Sequence, residues 1–190
     1  ERRLGTVLVC APIHPDGEPL DREEMLDGMR GMHGAMSRIV ERFEGYLGPP
    51  RDFGWPAWFG YPRAQEDDAC RAVRAALRIV EEARTICPTT GAVVAAMRVG
   101  MHTGSMIMAR TGNDPLALGD TPNIAALIQG LAPPGTVLLS QATWRLVEGF
   151  FEGEELSIPL PLGARPTPLY RVVADRGAHR VAGLREHELE

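Results

Sequence analysis

Carboxylate and imidazole side chains in two loop-like stretches are the first candidates for chemistry in this sequence. Asp16 and His14 belong to the stretch His-Pro-Asp-Gly, and Asp52 lies in Pro-Pro-Arg-Asp-Phe-Gly. Hard divalent cations prefer carboxylate oxygens, so Asp16 and Asp52, with His14 nearby, form one possible metal-binding set. His-Pro-Asp-Gly is also an ordinary turn sequence. Both interpretations stay open at this point.

Three further polar residues lie in the second half of the chain. Asn123 lies near the start of GDTPNIAALIQ (residues 119–129), a segment whose opening and apolar face predict a capped helix. Asn123 either binds a ligand or simply caps or bridges backbone groups. Asp114 precedes Pro115, an arrangement that favours the start of a turn. His102, in GMHTG, is expected on a strand as a hydrogen-bonded structural histidine rather than a metal ligand.

The composition limits the partners of this chain. Its 190 residues, 44% of them hydrophobic, suit one domain with a substantial core. A formal net charge of −5 argues against nucleic-acid binding, and no run of 18 apolar residues predicts a membrane span. All 20 basic residues are arginine, so any step that needs a lysine cannot occur within this domain.

The three cysteines, Cys10, Cys70 and Cys87, are odd in number and widely spaced. They fit a reduced cytosolic protein better than a disulfide scaffold or a zinc site. Together with the lack of a visible signal peptide, they predict a cytoplasmic location.

Periodicity predicts an α+β domain. The apolar run at residues 5–10 predicts a buried strand, and Asp21 with Glu24 forms the capping box of a helix with a buried methionine stripe. A second helix is expected at residues 65–86. Residues 93–104 and 105–110 predict a hairpin of two strands, followed by a loop at 111–118. Later elements are the helix that contains Asn123, a strand at 137–139, a short helix at 141–147 and strands near 151–158 and 169–173.

This order is βαββαβ-like with additional αβ elements, so we expect helices on one face of a mostly antiparallel sheet. Strands are also possible at the ends of residues 46–62, but Pro49, Pro50 and Pro56 in its centre cannot donate ladder hydrogen bonds. Trp55 and Trp58 in this segment are expected either to cover a pocket or to face a partner.

Four stretches, in this combination and order, resemble the catalytic domain of class III nucleotide cyclases, the adenylate and guanylate cyclase family. They are GYP…EDDACRAVRAAL (60–77), RVGMHTG (98–104), LGDTPNIAALIQGLAPPGTVLLSQAT (118–143) and PLYRV (168–172). The resemblance spans roughly residues 4–173. It implies a ferredoxin-like βαββαβ core that dimerises head to tail, with active sites in the groove between two domains.

The family's reaction is the attack of the ribose 3′-oxygen on the α-phosphate of a nucleotide. The resemblance implies that two aspartates bind two metal ions, a lysine and an aspartate or threonine read the base, an asparagine orients the ribose, and an arginine stabilises the transition state. In this sequence Ala11 and Phe53 occupy the two metal-aspartate positions, and Pro49 occupies the lysine position. Leu127 stands where the family has its arginine.

Only Asp114 at the base-reading position and Asn123 at the ribose position match the family's motif. Loss of an arginine-type interaction alone typically costs phosphoryl transfer about 10³-fold or more. We therefore expect a catalytically degenerate domain, with residues 1–173 as the cyclase homology domain and residues 174–190 as a linker to further domains. It would act as a dimerisation, regulatory or sensing module of a larger bacterial signalling protein, as a homodimer or heterodimer and without a cofactor.

Two alternatives remain. A divergent active cyclase would use Asp16 or Asp52 with Mg²⁺ or Mn²⁺ and convert ATP or GTP to a cyclic nucleotide. A receptor would bind a nucleotide or another small molecule through Asp114 and Asn123 without turnover. Two features argue against a triphosphate ligand. The net charge of the chain is negative, and Arg51 is the only cation that the sequence places near the hairpin.

Overall fold

Strands and helices follow each other in the order that the sequence predicts, with two differences. The computed structural model describes residues 2–14, 16–86, 96–158 and 167–177. The elements are β1 (Arg2–Ile13), α1 (Arg22–Arg42), β2 (Tyr46–Leu47), β3 (Trp55–Phe59), α2 (Asp68–Ile86), β4 (Ala96–Thr111), β5 (Asp114–Leu118), α3 (Asp120–Leu131), β6 (Val137–Ser140), α4 (Gln141–Val147), β7 (Phe151–Leu156) and β8 (Leu169–Asp175).

One sheet organises the described part of the chain. Its strand order is β2-β3-β1-β4-β6-β8-β7, and β5 pairs with the end of β4. Strand β1 is antiparallel to both β3 and β4, whereas β4 and β6 are parallel. The first four strands, with α1 and α2 as crossovers, form the predicted ferredoxin-like βαββαβ core, and the later elements extend its sheet. The predicted fold class is confirmed.

The helices cover both faces of the sheet, so the prediction that they lie on one face is wrong. Leu8 and Cys10 of β1 pack in a cluster with α1 and α2, while Val7 and Val9 pack with Ala125 of α3 on the opposite face. Successive strand residues point to opposite faces. Because β1 is buried from Gly5 to Ile13, its two apolar faces both need cover, and a continuous apolar run is typical of such a strand.

Helix α1 begins as predicted. The Asp21 side chain accepts a hydrogen bond from the backbone N–H of Glu24 at 2.9 Å, and the Glu24 carboxylate accepts one from the N–H of Asp21 at 3.4 Å. Its apolar face belongs to the core, which includes buried Met25, Met32 and Met36. This methionine stripe is therefore packing rather than a ligand surface. In the described residues no helix is both long enough and apolar enough to cross a membrane.

The predicted hairpin with its turn near Gly104 is wrong. Residues 96–111 form the single strand β4, and residues 93–95 lie outside the described residues. Gly104 is needed for close packing, since a Cβ there would lie 2.7 Å from Thr121 Oγ1 of α3. The chain turns instead at Gly112, whose φ is 66°, and Thr111 pairs with Asp114. The predicted loop at 111–118 is thus a turn followed by β5.

Pro56 lies inside β3 although it lacks an N–H donor. It pairs with Val9 of β1, and its carbonyl accepts a hydrogen bond from Gly48 at 2.8 Å on the other side, just beyond the short edge strand β2. In an antiparallel strand the N–H and C=O of one residue point the same way. The missing donor therefore falls at the sheet edge, where a proline is tolerated.

Candidate functional site

The end of β1 and the turn before β3 form the first part of the candidate site. Ala11 is 7% exposed, and the adjacent turn packs directly on it. A Cβ added at Gly54 would lie 3.0 Å from the Ala11 Cβ and 2.4 Å from the Cys10 carbonyl oxygen. Gly54 also has φ 122°, so a glycine is favoured for both reasons. This corner of the site is closely packed and apolar.

Asp52 and Phe53 form the tip of this turn. Reciprocal backbone hydrogen bonds of 2.9 and 3.0 Å join Arg51 and Gly54, so Asp52 is a turn residue rather than part of a regular strand. The exposed Asp52 carboxylate lies 4.0 Å from the Arg22 guanidinium of α1. Phe53 instead packs against the apolar cluster on the α3 face of the sheet. The turn therefore directs its carboxylate away from that cluster and its aromatic ring toward it.

Arg98 is a site residue that sequence reasoning missed. It is the Cα partner of Ala11 across the β1–β4 pair, so the two side chains share a face of the sheet. In the amide orientation that satisfies both groups of Gln129, its oxygen accepts from Arg98 Nε at 2.7 Å and its nitrogen donates to the Phe53 carbonyl at 3.2 Å.

Burial lowers the pKa of the Arg98 guanidinium, which nevertheless keeps its charge at neutral pH. Among the described residues Arg98 has no carboxylate partner. The motif RVGMHTG contains this arginine, but only the strand register brings it beside Ala11. The result is a half-buried cation next to an apolar corner.

Asp114 is the first residue of β5, directly after the turn from β4, and is exposed. The Tyr46 hydroxyl of β2 donates a hydrogen bond to its Oδ1 at 3.2 Å. Burial raises the pKa of Tyr46, and the Asp114 charge and this hydrogen bond raise it further. Tyr46 also stacks on Trp58, with ring centroids 5.1 Å apart. The predicted base-reading carboxylate thus has a hydrogen-bond donor within its own domain.

An open cleft lies beside this turn. Its volume is about 420 Å³, and its lining residues include Pro49, Arg51, Asp52 and Leu116. Pro49, where the resemblance expects a lysine, is exposed there. The cleft therefore has one cation, Arg51, and one carboxylate, Asp52, in its lining.

Helix α3 carries the remaining two predicted positions. Asn123 and Leu127 are one helical turn apart and both exposed, with Leu127 at 45%. Asn123 does not cap the helix, because Gly119 is the N-cap residue and no side chain caps it. Within the described part of the chain the Asn123 side chain makes no hydrogen bond. Leu131, 36% exposed, extends the strip of Asn123 and Leu127 by another turn.

The position of α3 is fixed by a close approach to β4. A Cβ added at Gly100 would lie 2.0 Å from the backbone nitrogen of Gln129 and 2.5 Å from the carbonyl oxygen of Ala125. Thr121 Oγ1 donates to the Ser105 carbonyl at 2.7 Å and ties the helix start to the same strand. Asn123 and Leu127 therefore project from a rigid support.

The alternative metal-binding set is not assembled. Asp16 is exposed in a turn, and His14 Nε2 lies 3.0 Å from Glu24 Oε2. Asp52 is paired with Arg22 instead. Across the residues that the structure describes, no group of three or more His, Cys, Asp or Glu side chains is arranged to hold a metal ion.

His102 lies at one end of a chain of hydroxyl groups. Its Nδ1 is 2.8 Å from Ser140 Oγ, and the chain continues through Thr143 and Thr103 to Thr6 at oxygen–oxygen distances of 2.9–3.2 Å. Burial lowers the pKa of His102. These contacts fit the expectation of a hydrogen-bonded structural histidine.

Trp55 and Trp58 are core residues. Trp55 is 5% exposed and packs on the α1 face, and Trp58 is 1% exposed and packs on the α3 face. Neither ring lies at the surface, so of the two alternatives, covering a pocket or facing a partner, the partner contact is wrong. They differ by three positions along a strand, which places them on opposite sides.

Comparison with known proteins identifies the family. The sequence-family model described as "Adenylate and Guanylate cyclase catalytic domain" matches residues 54–160, more than half of the chain. The chain belongs to this family. No curated protein sequence matches it significantly.

Solved structures share the fold at low sequence identity. The adenylyl cyclase CyaB from P. aeruginosa has a TM-score of 0.78 and 22% identity, over 93% of this chain and 96% of that one. The guanylate cyclase domain of RhGC from Catenaria anguillulae, in complex with GTP, has a TM-score of 0.76 and 20% identity, over 93% and 100%. A dimeric guanylyl cyclase domain of the RhoGC fusion protein from Blastocladiella emersonii has a TM-score of 0.74 and 16% identity, over 93% and 99%.

Proposed function

We propose that this domain is a catalytically degenerate member of the cyclase family that acts as a dimerisation and regulatory module. The observation that carries this proposal is the contact between Ala11 and the Phe53–Gly54 turn. At both positions where the family resemblance expects a metal-binding aspartate, the side chain is apolar. Neither side chain has an oxygen ligand for Mg²⁺ or Mn²⁺, so these residues do not fit the two metal ions of the family's reaction.

Two further observations support the proposal. Leu127 projects from α3 where the family has its transition-state arginine, and an aliphatic side chain cannot stabilise a charged phosphoryl group. The family match begins at residue 54, after both Ala11 and Phe53. Both expected metal-ligand positions therefore lie outside the matched segment.

The exposed strip of α3, formed by Asn123, Leu127 and Leu131, is the surface that we assign to dimerisation. In a two-fold dimer each of its residues is buried twice. Burying one leucine contributes roughly 1.5–3 kcal/mol, so Leu127 replaces a catalytic charge with a contact that favours association.

We further propose that residues 174–190 are a linker to other domains of a bacterial signalling protein. Strand β8 itself runs to Asp175, and residues 178–190 lie outside the described residues.

A second candidate function is a receptor that binds a nucleotide or another small anion without turnover. Arg98 favours it, because a half-buried guanidinium without an acidic partner among the described residues is a suitable contact for a phosphate or carboxylate. Asp114 and Asn123, the two residues that match the family's motif, would then contact the rest of the ligand. The sequence places only Arg51 near the hairpin, so this candidate gains its support from the strand register.

The test is incubation of the purified domain with ATP or GTP, with and without Mn²⁺, followed by chromatography for cyclic product and by calorimetry. The adenylyl cyclase CyaB serves as positive control. We expect no product above a no-protein control. Product that disappears in Asp52→Ala would overturn the proposal in favour of a divergent enzyme.

Calorimetry separates the remaining two functions. Heat of binding that is lost in Arg98→Gln but retained in the matched variant Arg51→Gln would establish the receptor. No heat at millimolar nucleotide, together with a dimer in solution, is the result expected of a dimerisation module.

A further inference from the structure

The face of the sheet opposite α3 carries a groove between α1 and α2. Its volume is about 270 Å³, and Ala35 and Ile39 of α1, with Phe43 at the C-cap of that helix, give it an apolar floor. Ala35 and Ile39 are 6% and 7% exposed, and Phe43 is half-buried, so the floor is continuous with the core. The groove is smaller than typical small-molecule pockets, which favours insertion of a side chain over a drug-sized ligand.

Guanidinium groups surround this floor. Arg38 and Arg42, one turn apart on α1, and Arg78 on α2 all line the groove. Arg78 is neutralised by Glu81 and Glu82, at 3.2 and 2.9 Å. Among the described residues Arg38 and Arg42 have no carboxylate partner, and both are exposed. One wall of the groove therefore offers two positive charges to a ligand.

We propose that this groove binds an acidic peptide segment of a partner protein. An apolar side chain of the segment enters the floor, and flanking carboxylates pair with Arg38 and Arg42. Charge complementarity selects this occupant: the domain has a net charge of −5 and repels acidic ligands overall, so such a segment is held only where arginines are locally in excess. The groove lies on the opposite face from α3, so it stays accessible in the proposed dimer and the inference does not depend on it.

The probe is a fluorescein-labelled peptide of four Glu-Leu-Glu repeats, compared with the same peptide carrying Lys in place of Glu. Binding is measured by fluorescence anisotropy at low and high salt, because exposed charge pairs are screened by salt. We expect the acidic peptide alone to bind, with amide chemical shifts changing along residues 35–43 and 78–82. Arg38→Glu with Arg42→Glu should weaken binding at least about tenfold, since both charge pairs become repulsive.

The matched control is Arg22→Glu with Arg30→Glu, which makes the same charge change at exposed positions of the same helix. It should weaken binding less than about threefold. Equal loss in the two double variants would reduce the effect to net charge and overturn the proposal. The proposal would also be overturned if the amide chemical-shift changes of the wild-type protein lay outside residues 35–43 and 78–82. A lack of binding at millimolar acidic peptide would overturn it as well.

Discussion

Arg98 on β4 lies directly across from Ala11 on β1. The corner where the family resemblance places a metal-binding carboxylate therefore has a methyl group facing a half-buried guanidinium. This contact depends on the register of β1 and β4, because a shift of β4 by one residue would move Arg98 to the α1 face. This corner combines an apolar side chain with a positive charge, so it favours an anion over a cation.

Gly100 tests how firmly α3 is held. Gly100→Ala would place a Cβ against the backbone of Gln129 and Ala125, so we expect a loss of about 1–3 kcal/mol or more in the free energy of unfolding, measured with urea. The matched variant is Gly130→Ala, where no atom of the described residues outside the helix's own backbone lies within 4 Å of the added Cβ. It should stabilise by about 0.4–1 kcal/mol. Similar effects of both variants would show that the close contact with α3 is not a constraint.

Leu127 tests the dimer surface. Leu127→Asp should weaken self-association at least tenfold, because each symmetric interface loses two buried leucines and gains two charges. Leu146 of α4, 53% exposed, provides the control variant Leu146→Asp. Sedimentation velocity over a range of concentrations measures both. If Leu146→Asp dissociates the dimer and Leu127→Asp does not, the interface lies on the other face of the sheet.

His102 tests the effect of pH on stability. Burial lowers its pKa below 6.5, the value of an exposed histidine, so the unfolded chain takes up the proton first as pH falls. The contribution of neutral His102 to the free energy of unfolding is fully present above pH 6.5 and is lost as pH falls through the lowered pKa. Urea unfolding at pH 7.5 and pH 5 should therefore show that the free energy of unfolding decreases less between these pH values in His102→Gln than in wild type. An equal loss in the two proteins would assign the pH dependence to other groups.

Tyr46 tests the contact with Asp114. In an ultraviolet titration Tyr46 should ionise above pH 10, because burial, the Asp114 charge and their hydrogen bond all disfavour the phenolate. Asp114→Asn removes the charge but leaves the burial, so the pKa of Tyr46 should fall only part of the way. Tyr46→Phe identifies the signal by removing it. A pKa that does not respond to Asp114→Asn would mean that the two side chains are apart in solution.

The sequence was informative where a signal is local. The Asp21–Glu24 capping box, the short helix at 141–147 and the apolar strands follow from neighbouring residues, and the structure has them. It was misleading at Gly104, because a glycine that admits a neighbouring helix looks the same in sequence as one that makes a turn. Arg98 and Ala11 are 87 positions apart in the sequence. Their pairing depends on the register of β1 and β4, and no local pattern encodes it.

The alternation of Leu8 and Val9 along β1 has a consequence for how the two surfaces of this domain communicate. The α1–α2 side and the α3 side of the sheet pack on alternate residues of β1, so they share its backbone but none of its side chains. In a double-mutant cycle, the effects of substitutions at Arg38 and at Leu127 on the free energy of peptide binding should then be additive. We therefore expect the two proposed attachments, at the groove and at α3, to be set independently of each other.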